Sequence, residues 1–380
     1  MIEGEYTIVA GDFVTTGGMD APNFALASYL ARSGRTVHLV GYRVMEELRR
    51  NANVVFHRVP KPAGAYALGA PLLGGRGFLQ AIAVAARRGA VVVNGGNCPF
   101  PGVNWVHYVH SAFTPVTAGD TWRQARIRAL HRINMLTEHV ALRSAKAIIA
   151  NSERTRRDVI EKIGIAEDRI TTVYYGVDAT RFHSTSEDER LATRRSLGWR
   201  EGVPHVVFVG ALGDRRKGFD VLYEAWRLLC ARGSWDAVLV VVGSGGELPV
   251  WRARAVADGL TGRVHFLGFR RDVPRVLMSS DALVAPTRYE AYGAGVHEAL
   301  CCGLPALVSA SAGVAERYPE HLRELLLDDV ESPTVLAQRI RQWRERASEW
   351  REAVAPFAER LRARSWDDMA GDVMSVCDNL

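Results

Sequence analysis

The chain has 380 residues, 48% of them hydrophobic and 24% charged, an ordinary globular composition with material for two separate cores. Its formal net charge of +6 favours polyanionic company, yet no aromatic-interleaved basic run, zinc pattern, helix-turn-helix or RNP-like motif is present, which disfavours nucleic acid. Five cysteines (Cys98, Cys230, Cys301, Cys302 and Cys377) show no C-x-x-C spacing and no histidine at metal-ligand intervals, so reduced thiols and no metal site are expected.

There is no uninterrupted run of about 18 apolar residues. The N-terminal MIEGEY is acidic where a secretory signal would be basic and then greasy, so a cytoplasmic protein is expected.

Residues 6–10 and 36–41 read as buried parallel strands, with a helix over Asn23–Arg32 between them and Gly34 as its stop. The turn that opens this unit, GDFVTTGGMD, places Gly17 and Gly18 before the helix and is not the G-x-G-x-x-G of dinucleotide enzymes, so NAD is disfavoured. Residues 60–77 are dense in Pro, Gly and Ala without a period and predict a mobile loop, for acceptor binding or as an inert connector. VVVNGG is a strand. WVHYVH at 105–110 is read as another, which puts His110 at the carboxyl end of a buried strand, where open parallel sheets bind ligands.

One long helix is predicted from Thr121 to Ser144, apolar at Trp122, Ile127, Leu130, Ile133 and Leu136, with Arg123, Arg126, Arg128 and Arg132 among them. Such a helix can lie on an anionic membrane or present a solvated basic face. A strand and a helix capped at Ser152 follow. The charged segment 183–202 then reads as a linker with a surface helix, and after it the strand–helix alternation starts afresh. The predicted organisation is α/β, with a first domain over 1–182, a second over 203–355 and a terminal helix over 356–380.

Two loops of the second half carry chemistry. GALGDRRKGFD supplies Arg215, Arg216 and Lys217 directly after a strand. Fixed cations there can stabilise negative charge on a bound anion. In ALVAPTRYEAYGAGVHEALCCGLP a strand leads to Glu290, then to a helix starting near Gly293 and stopped by Gly303. Free amides of Gly293, Ala294 and Gly295 at a helix start suit a diphosphate. Glu298, one turn deeper, can accept from a ribose diol, and Glu290 can reach a sugar hydroxyl.

The Glu290–x7–Glu298 spacing, with Tyr292 and Gly293 before the helix, resembles the signature of the retaining family-4 glycosyltransferases. These use nucleotide sugars and have the GT-B architecture, two Rossmann-like doubly wound domains facing a central cleft. Further resemblances are the Gly17–Gly18 turn, the alanine-asparagine-serine turn at 150–152, the GVD at 176–178 with Phe182, the Lys217–Gly218 pair, and AGVAE ending at Glu316. The resemblance implies a hexosyl transfer from a UDP- or GDP-sugar to a hydroxyl acceptor in glycan, polysaccharide or glycolipid assembly, without a metal or other cofactor. It also implies donor contacts from Gly17 and Gly18 to the diphosphate, from His110 to the sugar and from the Arg270 backbone to the base, and a terminal helix returning to the first domain. Two departures stand out: Ala291 replaces the first glycine of E-G-F-G, and Ala211 replaces an arginine, for which Arg215 or Arg216 is the expected substitute. A UDP-sugar 2-epimerase of related twin-domain build and a catalytically silent nucleotide-sugar binder are the alternatives.

Overall fold

Two parallel sheets organise the chain, one in each of two units: unit 1 comprises residues 1–114, 125–176 and 365–380, and unit 2 comprises 115–124 and 177–364. The structure, a computed structural model, describes residues 4–116, 121–213, 215–231 and 233–380, with the backbone alone for 121–123.

The sheet of unit 1 contains β1 (Tyr6–Val9), β2 (Val37–Gly41), β3 (Val54–Arg58), β4 (Ala90–Asn94), β5 (Val103–Val106), β6 (Ala147–Ala150) and β7 (Ile170–Thr172), in the spatial order β3-β2-β1-β4-β5-β6-β7. Ile8 stands opposite Leu39 on one side and Val92 on the other. All three are fully buried, as strands covered on both faces must be. Because the order runs outward from β1 in both directions, the connections leave β1 and β4 toward opposite faces and open a crevice beyond their carboxyl ends.

Unit 2 repeats the scheme with β8 (His205–Val209), β9 (Val238–Val242), β10 (Val264–Gly268), β11 (Ala282–Ala285), β12 (Ala306–Ser309) and β13 (Leu326–Leu327), ordered β10-β9-β8-β11-β12-β13. Val207 pairs with Val240 and with Leu283, so the switch point lies between β8 and β11. The loops that follow these two strands are the two chemistry-bearing loops of the sequence.

Several local expectations change. Residues 60–77 are largely helical, within a helix spanning Tyr66–Ala85, and the short strand β3 before them was not foreseen. The glycines that read as breakers let this helix close on the sheet: a Cβ at Gly69 would stand 2.8 Å from the Tyr42 ring, and one at Gly77 2.6 Å from Val9. This helix is also long and apolar enough to cross a membrane by length and composition. WVHYVH is a strand only through Val106; His110 opens a short 3-10 turn, His110–Ala112. In the charged segment 183–202, helix Glu187–Ser196 is anchored, because Arg190 and Arg194 both pair with Asp281 and are themselves buried. The final helix, Trp366–Asp378, is capped by a reciprocal Ser365/Asp368 box and packs within unit 1 against helix Asp20–Arg32 and strands β4 and β6.

Candidate functional site

At the switch point of unit 2 the loop after β8 and the loop after β11 are tied together backbone to backbone. Gly218 has φ +68° and a Cβ there would collide with the Pro286 carbonyl, so only glycine lets the two loops approach this closely. The Arg288 amide donates to the Arg216 carbonyl at 2.8 Å. Its guanidinium donates to the Arg215 carbonyl at 2.6 Å, to both Asp220 oxygens at 2.8 and 2.9 Å, and to Glu331 at 2.7 Å. Arg288, which the sequence reading passed over, is therefore a clamp on the loop that carries the cations. The glycine-rich turn after β9 backs the same loop: Cβ atoms at Gly243 and Gly245 would strike the carbonyls of Gly210 and Leu212.

That scaffold brings Lys217 and Glu290 into a direct ion pair, with Arg216 Nη1 at 3.7 Å from the same carboxylate oxygen and donating to the Tyr289 carbonyl at 3.1 Å. Burial pushes the Glu290 carboxyl up, but the Lys217 and Arg216 charges outweigh it and hold the group below the usual carboxylate range. Arg215 takes another course. Its φ is +53° and its Nε lies 4.0 Å from Glu247, beside the glycine-rich turn. Of the two arginines that could stand in for Ala211, only Arg216 faces Glu290.

Helix Ala294–Cys301 starts where the second loop ends, with Gly293 in the left-handed region at φ +111°. The loop is fixed from behind by Gly313 and Val314, whose amides donate to the carbonyls of Glu290 at 3.1 Å and Tyr292 at 2.7 Å. The amides of Ala294 and Gly295 are among those that a helix start leaves without an intrahelical acceptor. At Gly295 an added Cβ would meet Val209 at 3.8 Å, ordinary contact, so packing does not demand glycine there. Gly210, next to Val209, faces the Lys217 side chain: a Cβ there would lie 3.1 Å from Lys217 Cγ. Lys217 and the helix start thus share one edge of β8.

Glu298 is half-buried on the same helix, and among the described residues its carboxyl group has no hydrogen-bond partner; burial pushes that carboxyl up to about 7, against the pull of Arg181. Tyr292 departs from expectation. The phenol is buried and its hydroxyl meets His297 Nδ1 at 2.7 Å, so it braces the helix from inside and only its backbone borders the loop. His297 is fully enclosed and held neutral, its pKa lowered to about 3 by burial and by Arg317 and Arg364. Arg270, just beyond β10, is locked in a two-point pair with Asp272 at 2.7 and 2.5 Å.

The remaining predicted residues belong to unit 1. Gly17, at φ +98°, and Gly18 precede helix Asp20–Arg32, but a Cβ on Gly17 would lie 3.3 Å from the Asp20 carboxylate. A negative neighbour weighs against this glycine pair gripping a diphosphate. His110 is oriented by a residue the sequence reading missed: Glu138, buried on helix Thr121–Ser144, accepts from the His110 amide at 2.7 Å and from the Ser111 amide and hydroxyl at 3.0 and 2.9 Å. Burial and His131 lower the His110 pKa to about 4, so the ring is neutral. On that long helix Ile133, Leu136 and Val140 are exposed, whereas the side chains of Trp122 and Arg123 lie outside the described residues.

Comparison with known proteins finds a family match in each half of the chain. Residues 16–181 match the family model "Glycosyltransferase Family 4" and residues 203–345 match "Glycosyl transferases group 1". Among individual relatives, the D-inositol 3-phosphate glycosyltransferase of Salinispora tropica is 29% identical over 71% of this chain and 58% of its own length. The 2-deoxystreptamine N-acetyl-D-glucosaminyltransferase of Streptomyces fradiae is 30% identical over 50% of this chain and 45% of its own. The matched stretch thus spans about half the length of these curated relatives. Among solved structures, WaaG, a glycosyltransferase involved in lipopolysaccharide biosynthesis, superposes with TM-score 0.75 at 20% identity, covering 97% of this chain and 99% of its own. Anabaena HepE in complex with UDP and glucose superposes with TM-score 0.71 at 18% identity over the full length of both chains. With a doubly wound parallel sheet in each unit, GT-B structural neighbours and a family match in each half, the chain belongs to the family-4 glycosyltransferases.

Proposed function

We propose that this protein transfers a hexosyl unit from a UDP- or GDP-sugar to a hydroxyl acceptor with retention at the anomeric carbon, without a metal. The observation that carries the reading is the convergence of Lys217 and Arg216 on Glu290 beside the start of helix Ala294–Cys301. In the free protein the two cations are neutralised by Glu290. An arriving diphosphate brings more negative charge than one carboxylate and competes for Lys217 and Arg216. Glu290, released, is then placed to accept from a sugar hydroxyl. The bond from anomeric carbon to phosphate oxygen breaks as the acceptor oxygen bonds to the same face, and the acceptor proton passes to the departing phosphate oxygen. Lys217, Arg216 and the amides of Ala294 and Gly295 stabilise the charge developing on that oxygen, which does the work of a divalent cation. HepE, solved with UDP-glucose, supports a nucleotide-sugar donor.

The decisive measurement is turnover of UDP-glucose and GDP-mannose, including slow hydrolysis without acceptor, in the presence of EDTA. The Lys217→Ala protein is expected to lose about a hundredfold or more in kcat. Retention of more than half the parental rate by that variant would remove Lys217 from the mechanism, and dependence on an added divalent metal would remove the metal-free scheme.

The acceptor side includes a peripheral membrane contact. Helix Thr121–Ser144 exposes Ile133, Leu136 and Val140 together with Arg128 and Arg132, and helix Tyr66–Ala85 exposes Leu72, Leu79 and Ile82. Apolar side chains flanked by arginine suit an anionic interface. Co-sedimentation with phosphatidylglycerol vesicles, weakened by salt and by Leu136→Glu, is the expected result; equal recovery with neutral vesicles would count against it.

A further inference from the structure

A second constellation lies at the switch point of unit 1, and the donor chemistry does not use it. Asp12, just past β1, is fully buried. One of its carboxylate oxygens, Oδ2, accepts from Arg43 Nη2 at 2.7 Å and from the Tyr66 hydroxyl at 3.0 Å. The other, Oδ1, is sealed from solvent and has no partner among the described residues. A buried acceptor left unmade costs about 1–3 kcal/mol, and more when it is charged, so its persistence calls for a cause. Asp20, the first residue of the adjoining helix, is a second carboxylate with neither a hydrogen bond nor an ion pair among the described residues. Burial and the Asp12 charge push it up to about 6, against the pull of Arg43 and Lys61.

The cations nearby have contacts of their own. Arg43 is spent on Oδ2, and Lys61 Nζ sits 3.8 Å from the centre of the Tyr66 ring and 5.2 Å from that of Tyr42. The place therefore has more acceptor atoms than donors. It stands at the carboxyl edge of β1 and β2, where doubly wound sheets take ligands.

We propose that Asp12 and Asp20 form the acceptor-recognition site, and that the acceptor is a polyhydroxylated ring bearing an amino group whose ammonium donates to both carboxylates. The proposal rests on the glycosyltransferase reading and names its substrate class. A phosphorylated ring would bring further negative charge against two carboxylates, one of them unpaired, with Arg43 already paired to Asp12. A neutral polyol would supply hydrogen bonds but leave the charge. The ammonium group does both. Tyr66, which donates to Asp12, is itself 55% exposed, so the ring reaches the carboxylate by displacing this phenol while Arg43 stays on Oδ2, and the Tyr66 ring offers it an apolar wall.

Titration calorimetry on the full chain, with UDP present, tests this using 2-deoxystreptamine and myo-inositol 3-phosphate as probes. The expected result is binding of 2-deoxystreptamine in preference to the phosphate, weakened tenfold or more in Asp20→Asn with the melting temperature of that variant unchanged. Asp12→Asn is expected to do the same, and Asp20→Asn keeps the test readable should Asp12→Asn fold poorly. Preference for myo-inositol 3-phosphate, absence of 2-deoxystreptamine binding, or an amine affinity indifferent to Asp20→Asn would each overturn the proposal. UDP binding by the parental protein in the same titration reports on the donor reading separately, so a chain that binds UDP and no amine loses this inference alone.

Discussion

Glu290 and Glu298 are the same acid on one loop-and-helix segment, yet their surroundings drive them in opposite directions. Lys217 and Arg216 overcome burial at Glu290, whereas Glu298, opposed only by Arg181, is pushed up to about 7. If Glu298 holds the ribose diol, as its place on the helix predicts, UDP affinity must depend on its charge. Below pH 7 the protonated carboxyl is the weaker acceptor, and above it the carboxylate takes both hydroxyl donors. Hydrogen bonds to a charged group exceed neutral ones by about 1 kcal/mol, so Kd should tighten roughly three- to fourfold between pH 6 and pH 8. The titration of UDP itself contributes to any slope, and Glu298→Gln isolates it. An identical pH slope in parental and Glu298→Gln proteins would show that Glu298 does not touch the ligand. At this scale the sequence is informative where chemistry is written in adjacent residues: Lys217–Gly218 and Glu290 meet on two joined loops, with Gly293 at the start of the helix that carries Glu298. Arg288 and Asp12 escaped notice because their partners, Asp220 and Tyr66, lie 68 and 54 positions away. Nor could spacing separate Arg215 from Arg216, since the choice rests on a positive φ at Arg215.

Among elements, the lesson concerns glycine. In residues 60–77 the density of Gly and Pro reads as a loop, yet Gly69 and Gly77 are the contact points of a helix against Tyr42 and Val9. Propensity gave way to close packing, which a single sequence does not display. The loop after β8 uses glycine for a different purpose, to admit the Pro286 carbonyl at Gly218 and so set the distance from Lys217 to Glu290. Gly218→Ala combines a left-handed φ with a collision against backbone. It is expected to destabilise unit 2 by about 2 kcal/mol or more and to weaken UDP binding at the same time. Gly213→Ala, whose Cβ would meet only the Gly246 amide at 3.8 Å, serves as the stability control. Urea melts and UDP titrations on both variants decide the matter. Equal stability of the two would mean that the loops are not set by this contact.

For the whole molecule, the chain leaves unit 1 after Gly176 and returns to it at Ser365, so its last residues complete a core begun by its first. A Cβ on Gly176 would collide with the Ser365 carbonyl, and helix Trp366–Asp378 buries Met369, Ala370, Val373, Met374 and Cys377 within unit 1, with Arg32 pairing to Asp367 at 2.6 Å. The three large aliphatic or thioether side chains alone contribute about 1.5–3 kcal/mol each, a sum comparable to the stability of an ordinary domain at about 5–15 kcal/mol. Deleting 365–380 should therefore undo unit 1 selectively. Calorimetry of the truncated chain is expected to show the unit 1 transition lost or lowered by tens of degrees while that of unit 2 persists. UDP adds a second readout, because Lys217, Arg216, Glu290 and Glu298 all lie in unit 2. At a hundred times its Kd the nucleotide should stabilise the surviving transition by about 2.7 kcal/mol. Loss of both transitions on truncation would mean that the two units fold as one, and survival of unit 2 without a UDP shift would mean that donor binding needs residues of unit 1, such as His110, after all.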